Sequence, residues 1–311
     1  MKQIEHVLSA RQYDPDQLER LFVHTDAMRN AMASPSARRE LAGRHVGLVM
    51  ATLFYEPSTR TRLSFESAAV RLGAGVISTE NAREFSSAAK GETIQDTVRT
   101  IDRYADVLVM RHHETGAAEQ AAAVSSVPII NAGDGKGEHP TQALLDMRTI
   151  KEERGRLDDL NVVIGGDLTH GRTARSLALL LSMYENNNID FVSTPDLQMG
   201  DDIKSHLRET GTSFNETDDM FGAVREADVV YWTRLQKERL RDQNLRSEFT
   251  IGQAVLQVMP ADAIIMHPLP RVGEIERCVD SDPRAIYFDQ VEHGLHTRMA
   301  LLDDALDLSY E

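Results

Sequence analysis

Along this chain, short continuous apolar runs alternate with segments in which apolar residues recur every three or four positions. The run 45–54 holds Val46, Leu48, Val49, Met50, Leu53 and Phe54, and predicts a strand buried on both faces, as in a parallel sheet. Glu56-Pro57 ends it. Behind an N-cap at Ser58 or Thr59, Leu63, Phe65, Ala69 and Leu72 then follow at helical spacing. An amphipathic helix over 18–32, carrying Leu21, Phe22, Met28 and Met32, precedes this unit. After it come a short strand at 76–79, a polar loop at 81–93 and a helix at 92–104 on which Ile94, Val98 and Ile101 share a face. A strand at 106–112, a helix at 115–124 and a strand at 127–131 complete the first half.

Gly133, Gly135 and Gly137 make a flexible turn before a helix that opens at His139-Pro140, where proline is tolerated, and that aligns Leu144, Leu145, Met147 and Ile150. The second half repeats the alternation. It predicts strands at 162–165, 190–193, 228–233 and 263–266, with helices at 174–184, 201–210, 220–226 and 251–258 and a closing helix at 297–308. Alternating strands and helices in both halves of a 311-residue chain predict two doubly wound parallel-sheet α/β domains with right-handed crossovers, joined by helices.

Composition narrows the class of partner. A hydrophobic content of 41% and a charged content of 27% are ordinary for a soluble globular protein. The formal charge of −15 repels nucleic acid and acidic membrane surfaces, and no block of Lys and Arg offsets it, so neither is an expected partner. Cys278 is the only cysteine, which rules out an intrachain disulfide and a cysteine-based zinc site. The first residues lack the apolar core of a signal peptide, and no apolar run approaches the roughly 20 residues that span a bilayer. The expected location is cytoplasmic.

In a doubly wound sheet, ligands sit beyond the carboxyl ends of the strands. The residues at those positions are Ser58-Thr59-Arg60-Thr61, Arg111, His139 with Gln142, Arg172, Arg234 with Gln236, and the run 267–271, His-Pro-Leu-Pro-Arg. At 58–61 the helix start offers main-chain N–H donors and the positive end of its dipole, three hydroxyls add donors, and Arg60 adds a planar fork that fits phosphate. Cationic groups collected at strand ends of an acidic chain point to a small ligand with several negative charges. The stretch 165–173, Gly-Gly-Asp-Leu-Thr-His-Gly-Arg-Thr, lacks the G-x-G-x-x-G spacing of a dinucleotide fold, which argues against a nucleotide-dependent oxidoreductase.

FYEPSTRTRLSFE, MRH, GEHPTQALLD, GDLTHGRT, TRLQKER and HPLPR, in this order and over nearly the whole chain, resemble the carbamoyltransferase family. STRTR and HPTQ are common to its aspartate and ornithine branches; TRLQ and HPLPR resemble the aspartate branch. The resemblance implies transfer of the carbamoyl group of carbamoyl phosphate to the α-amino group of L-aspartate, for de novo pyrimidine synthesis, with no cofactor and no metal. It implies a carbamoyl-phosphate-binding domain over 1–147, to which a C-terminal helix at 292–311 returns, and an aspartate-binding domain over 148–291.

The same resemblance distributes roles. Ser58, Thr59, Arg60, Thr61 and Arg111 would hold the phosphate. Arg60, Thr61, Arg111 and His139 would donate to the carbamoyl oxygen, while Gln142 and the carbonyls of Pro268 and Leu269, with Pro270 beside them, would receive the carbamoyl N–H groups. Arg172 and Arg234, supported by Gln236, would take the two carboxylates of aspartate. Ser86 and Lys90 would reach the site of a neighbouring subunit, so the implied assembly is a homotrimer with shared sites; the resemblance also leaves room for a separate regulatory chain. Thr169-His170 stand where a Lys-Tyr pair is common in the family, and His113 where Pro is common.

Overall fold

The computed structural model describes residues 6–234 and 249–307. Two compact units divide the chain: Met1–Leu145 together with Glu292–Glu311, and Asp146–Val291. Both divisions fall inside helices, Pro140–Arg154 and Asp289–Asp307.

In the first unit, β1 (Val49–Phe54), β2 (Gly75–Glu80), β3 (Val107–His112) and β4 (Ile129–Asp134) form a parallel sheet of order β2-β1-β3-β4. Ala51, Leu53, Leu108, Met110 and Ile129 from the sheet pack with Val98 and Ala117 from the flanking helices. Phe22, Phe54 and Phe65 are each at least 99% buried, a contribution of about 1.5–3 kcal/mol apiece. Phe54 pairs in register with Glu80 on one side and Arg111 on the other, so three strands end level and their following loops leave along one edge.

β1 starts at Val49, not at residue 45. Residues 42–47 form turns, Gly47 has φ of 94°, and Val46 is 70% exposed, so apolar side chains at the front of the run do not reach the sheet. The polar loop 81–93 holds a short helix, Ala82–Phe85, and a 3-10 turn, Ser87–Lys90. The closing helix, Asp289–Asp307, starts well before 297.

The second unit has a parallel sheet of β5 (Asn161–Gly165), β6 (Asn188–Val192), β7 (Ser213–Thr217), β8 (Val229–Trp232) and β9 (Ile264–Met266), in the order β7-β6-β5-β8-β9. Its edge strand β7 is absent from the sequence expectation, and the expected helix at 251–258 contracts to Gln253–Leu256. The core gathers Val163, Val230, Ile265 and Tyr287 around Trp232. A Cβ on Gly165 would lie 2.0 Å from the Trp232 ring, so glycine at the end of β5 is what lets the indole fill this layer. Among the described residues, no helix is long and apolar enough to cross a membrane.

Candidate active site

In the first unit the sheet order reverses between β1 and β3, the arrangement that opens a crevice at their carboxyl ends. The helix Thr59–Arg71 begins there with Ser58 at its N-cap, and the Ser58 hydroxyl makes no capping hydrogen bond within the chain. Thr61 is buried, Ser58 half-buried, and Thr59 and Arg60 exposed. Atoms around the Arg60 guanidinium nevertheless pull its pKa below the ordinary arginine value by desolvation, and at neutral pH it remains charged.

The neighbouring arginine has a different task. Arg62 donates to Glu66 at 3.2 Å, to Ser78 at 3.2 Å and to Glu80 at 3.0 Å, which ties the helix to β2. At the end of β3, Arg111 donates from Nη1 to the carbonyl of Ala132 at 3.3 Å, and its Nε lies 3.6 Å from Glu56 Oε2. Both contacts hold the guanidinium at the shared strand edge. His139 and Gln142 follow β4 and are both buried; the Thr141 hydroxyl is 3.4 Å from His139 Nδ1.

Ser86 and Lys90 lie on the 81–93 loop. The Ser86 hydroxyl donates to Ala82 at 2.6 Å and accepts from the Ala88 N–H at 3.1 Å, so it shapes its own loop; Lys90 is exposed. His113 stacks on His112 at 4.3 Å, and His112 meets Tyr55 edge-on at 4.3 Å. Burial, followed by the neighbouring His113, lowers the His112 pKa, and the Glu114 N–H donates to its Nδ1 at 3.0 Å.

In the second unit the reversal falls between β5 and β8. Gly166, with φ of 113°, follows β5, and a Cβ there would lie 2.4 Å from the Thr233 carbonyl oxygen; Thr233 in turn donates through its hydroxyl to Gly165 at 2.9 Å. This close approach sets the two loops side by side. Arg172 opens the helix Arg172–Leu181 after β5, and Arg234 follows β8. The turn before Arg172 is held by Asp167, whose Oδ1 accepts the His170 N–H at 3.1 Å and contacts its Nδ1 at 3.0 Å. Gln236 lies outside the described residues.

Beyond β9, Pro268 and Leu269 are half-buried and Pro270 is exposed. Leu269 has φ of 54°, a left-handed conformation that costs a branched residue about 1 kcal/mol and is kept only where surrounding contacts enforce it. Arg271, one of the cations that the sequence places at a strand end, is taken up by Asp280 and by the Tyr287 hydroxyl at 3.0 Å. Sequence reasoning missed the buried groups behind this loop: Asp146, Tyr231, Glu274 and Gln290 are each at least 98% buried and hydrogen-bonded.

As for metals, among the described residues one group, His45, Asp303 and Asp307, brings its ligand atoms within 4.8 Å of one another. Asp303 Oδ1 already accepts from His45 at 2.7 Å and from Arg44 Nε at 2.5 Å, and a cation would have to displace that guanidinium.

Two family models match the chain: the carbamoyl-phosphate-binding domain of aspartate/ornithine carbamoyltransferase over residues 5–152, and the aspartate/ornithine-binding domain over residues 158–304. The chain belongs to the aspartate/ornithine carbamoyltransferase family. Aspartate carbamoyltransferase 1, chloroplastic, of Pisum sativum is 50% identical over 305 residues, covering 96% of this chain and 78% of that protein. The aspartate carbamoyltransferase catalytic subunit of Halorubrum lacusprofundi is 46% identical, covering 97% of this chain and 95% of that one. Among solved structures, aspartate transcarbamoylase of Trypanosoma cruzi in complex with carbamoyl phosphate and aspartate superposes with a TM-score of 0.91 at 38% identity, covering 98% of this chain and 96% of that one. For the catalytic subunit of M. jannaschii aspartate transcarbamoylase the TM-score is 0.90 at 40% identity, covering 99% and 98%.

Within this carbamoyltransferase fold, His170 and His113 both make local contacts. His170 braces the loop before Arg172 through Asp167, and His113 extends the His112 stack. Neither replaces a residue of the candidate site.

Proposed function

We propose that this chain transfers the carbamoyl group of carbamoyl phosphate to the α-amino group of L-aspartate, giving N-carbamoyl-L-aspartate and phosphate in pyrimidine biosynthesis. The observation that carries the reading is the arginine placement at the two switch points: Arg60 and Arg111 flank β1 and β3, and Arg172 and Arg234 flank β5 and β8. One pair suits a phosphate. The other suits a dicarboxylate, and it repels the second amino group that ornithine would bring.

In this reading the N–H groups at the start of the helix Thr59–Arg71, with Ser58, Thr59 and Thr61, hold the phosphate. Arg60, Thr61, Arg111 and His139 donate toward the carbamoyl oxygen, where negative charge develops as the amine attacks. Gln142 and the carbonyls of Pro268 and Leu269, with Pro270 alongside, orient the carbamoyl amide. Arg172, Arg234 and Gln236 bind aspartate. The amine nitrogen forms the new bond to the carbamoyl carbon, the bond from that carbon to the phosphate oxygen breaks, and the departing phosphate takes the proton the amine loses. Positioning and electrostatics suffice in kind, without a cofactor.

The same reading extends to a cytoplasmic homotrimer in which Ser86 and Lys90 serve the neighbour's site. Supporting the assembly, Leu63 on the helix Thr59–Arg71 is 50% exposed, Ile77 on the edge strand β2 41%, and Phe85 on the loop that carries Ser86 and Lys90 78%. A regulatory chain would be a further partner of this trimer. The plant relatives are named as chloroplastic, so location is tested by fractionation. The deciding assay incubates purified chain with carbamoyl phosphate and either aspartate or ornithine. Phosphate release with aspartate and none with ornithine supports the proposal; the reverse, or no turnover with either, overturns it.

A further inference from the structure

We infer that His267 is a positioning residue for the reaction, acting through the backbone of Leu269. This rests on the reading above, in which the carbonyls of Pro268 and Leu269 receive the carbamoyl amide. His267 is buried, and the Leu269 N–H donates to its Nδ1 at 2.8 Å. That bond leaves the proton on Nε2, which donates to Glu274 Oε1 at 3.1 Å. The second oxygen, Oε2, accepts the Val272 N–H at 3.0 Å. Glu274 thus binds both the ring that grips Leu269 and the backbone just past Pro270.

The main chain of His267 is held as well. The His267 backbone N–H donates to Gln290 Oε1 at 3.0 Å, Gln290 Nε2 donates to Asp146 Oδ1 at 2.6 Å, and the Tyr231 hydroxyl donates to Asp146 Oδ2 at 2.8 Å. The five side chains of the network, those of His267, Glu274, Gln290, Asp146 and Tyr231, are each at least 98% buried, so their hydrogen bonds to one another have little competition from water. Burial alone would raise the Glu274 pKa, but the hydrogen bonds from His267 and Val272 outweigh it and hold the carboxyl below its ordinary value. Glu274 therefore stays an acceptor on both oxygens and enforces one imidazole tautomer. The run of hydrogen bonds ends on the N–H of Leu269, the residue with φ of 54°.

Two substitutions separate positioning from packing. His267→Asn keeps an oxygen close to the place of Nδ1 and so retains an acceptor for the Leu269 N–H; His267→Gln keeps a polar group near Glu274 and loses that acceptor. Asn is one methylene smaller than Gln and leaves the larger void at this buried site, so a packing effect alone would harm His267→Asn more than His267→Gln. Steady-state kinetics with carbamoyl phosphate and aspartate, alongside thermal unfolding of each variant, decide the matter.

His267→Gln is expected to lower kcat about 10- to 100-fold, the scale of a sub-ångström to ångström misplacement, with the KM for aspartate within about three-fold of wild type. His267→Asn is expected to stay within about five-fold of wild type. Equal losses in the two variants, or losses confined to the aspartate KM, overturn the assignment. Should His267→Gln not fold, Glu274→Gln, which conserves volume but has only one acceptor atom for two N–H donors, takes its place: a fall in kcat supports the assignment and wild-type kinetics in the folded variant overturns it. Wild-type enzyme inactive with aspartate would sink the functional reading itself, a result distinct from either pattern.

Discussion

The imidazole of His24 donates from Nε2 to Oδ2 of the buried Asp303 at 2.8 Å, and its Nδ1 lies 3.0 Å from Asp304. With an acid at each nitrogen the ring carries both protons, and the hydrogen bonds to Asp303 and then Asp304 raise its pKa from 6.5 to about 9. His24 stands on the helix Pro15–Ala33 and the acids on the closing helix Asp289–Asp307, so the pair joins the two ends of the first unit's chain. The other oxygen of Asp303 accepts from His45 at 2.7 Å.

Because the folded pKa lies above the free value, this contribution to stability is fully present below about pH 6.5 and is lost as pH rises through about 9. His24→Gln is expected to cost about 1–2 kcal/mol at pH 6, after discounting for the solvent that reaches the pair. It should cost little at pH 9.5. Denaturant unfolding at both pH values checks this, and a variant deficit that does not shrink with pH would count against the pairing.

At the Gly166 turn, a positive φ and the Thr233 carbonyl 2.4 Å from any Cβ combine. Gly166→Ala is therefore expected to destabilise the second unit by about 2–3 kcal/mol and to displace Arg172 relative to Arg234. Unfolding and aspartate saturation measured on the same preparation should both shift. If alanine is tolerated in both, the close approach is not what sets these loops.

Replacing Arg234 removes one charge-assisted contact to a carboxylate, worth about 1.5–3 kcal/mol. Arg234→Ala is expected to raise the KM for aspartate about 10- to 100-fold. Carbamoyl phosphate binding, measured by calorimetry, should stay close to wild type. Unchanged saturation by aspartate would show that the acceptor carboxylates bind elsewhere.

For shared sites the test is complementation. Arg60→Ala and Lys90→Ala chains, each nearly inactive alone, are dissociated, mixed and reassembled. Activity is expected to return, because some interfaces then join two intact halves, as a cyclic trimer of heterologous contacts requires. No recovery despite confirmed mixing would mean that Lys90 serves its own subunit or none.

Much of this was legible in the order of residues. Buried parallel strands need apolar runs on both faces, and β1, β3, β5 and β8 carry them; the helix starts after β1 and β4 are marked by hydroxyls or Pro140. The edge strand β7 was not legible. Its residues, Ser-Phe-Asn-Glu-Thr, are mostly exposed and carry no apolar run, and only hydrogen bonding to β6 makes them a strand.

What the sequence alone determined is therefore local: where apolar runs and helical periodicity occur, and which functional groups follow each strand. Tertiary structure decided what those groups do. Arg60 and Arg62 are two residues apart and chemically identical, but Glu66, Ser78 and Glu80 meet Arg62 and make it a brace between helix and sheet. Arg271 looks as available as Arg111 until Asp280 and Tyr287 close on it. Strand order likewise decided that Arg60 and Arg111 stand at the ends of the two strands at one switch point and Arg172 and Arg234 beyond those at the other, and that Asp146, Tyr231, Gln290, His267 and Glu274 join in one chain of hydrogen bonds. The physical reason is common to all of these. A side chain's charge and reach are properties of one residue, whereas its partner and burial depend on chain segments tens to hundreds of positions away, which only the folded sheet brings within hydrogen-bonding distance.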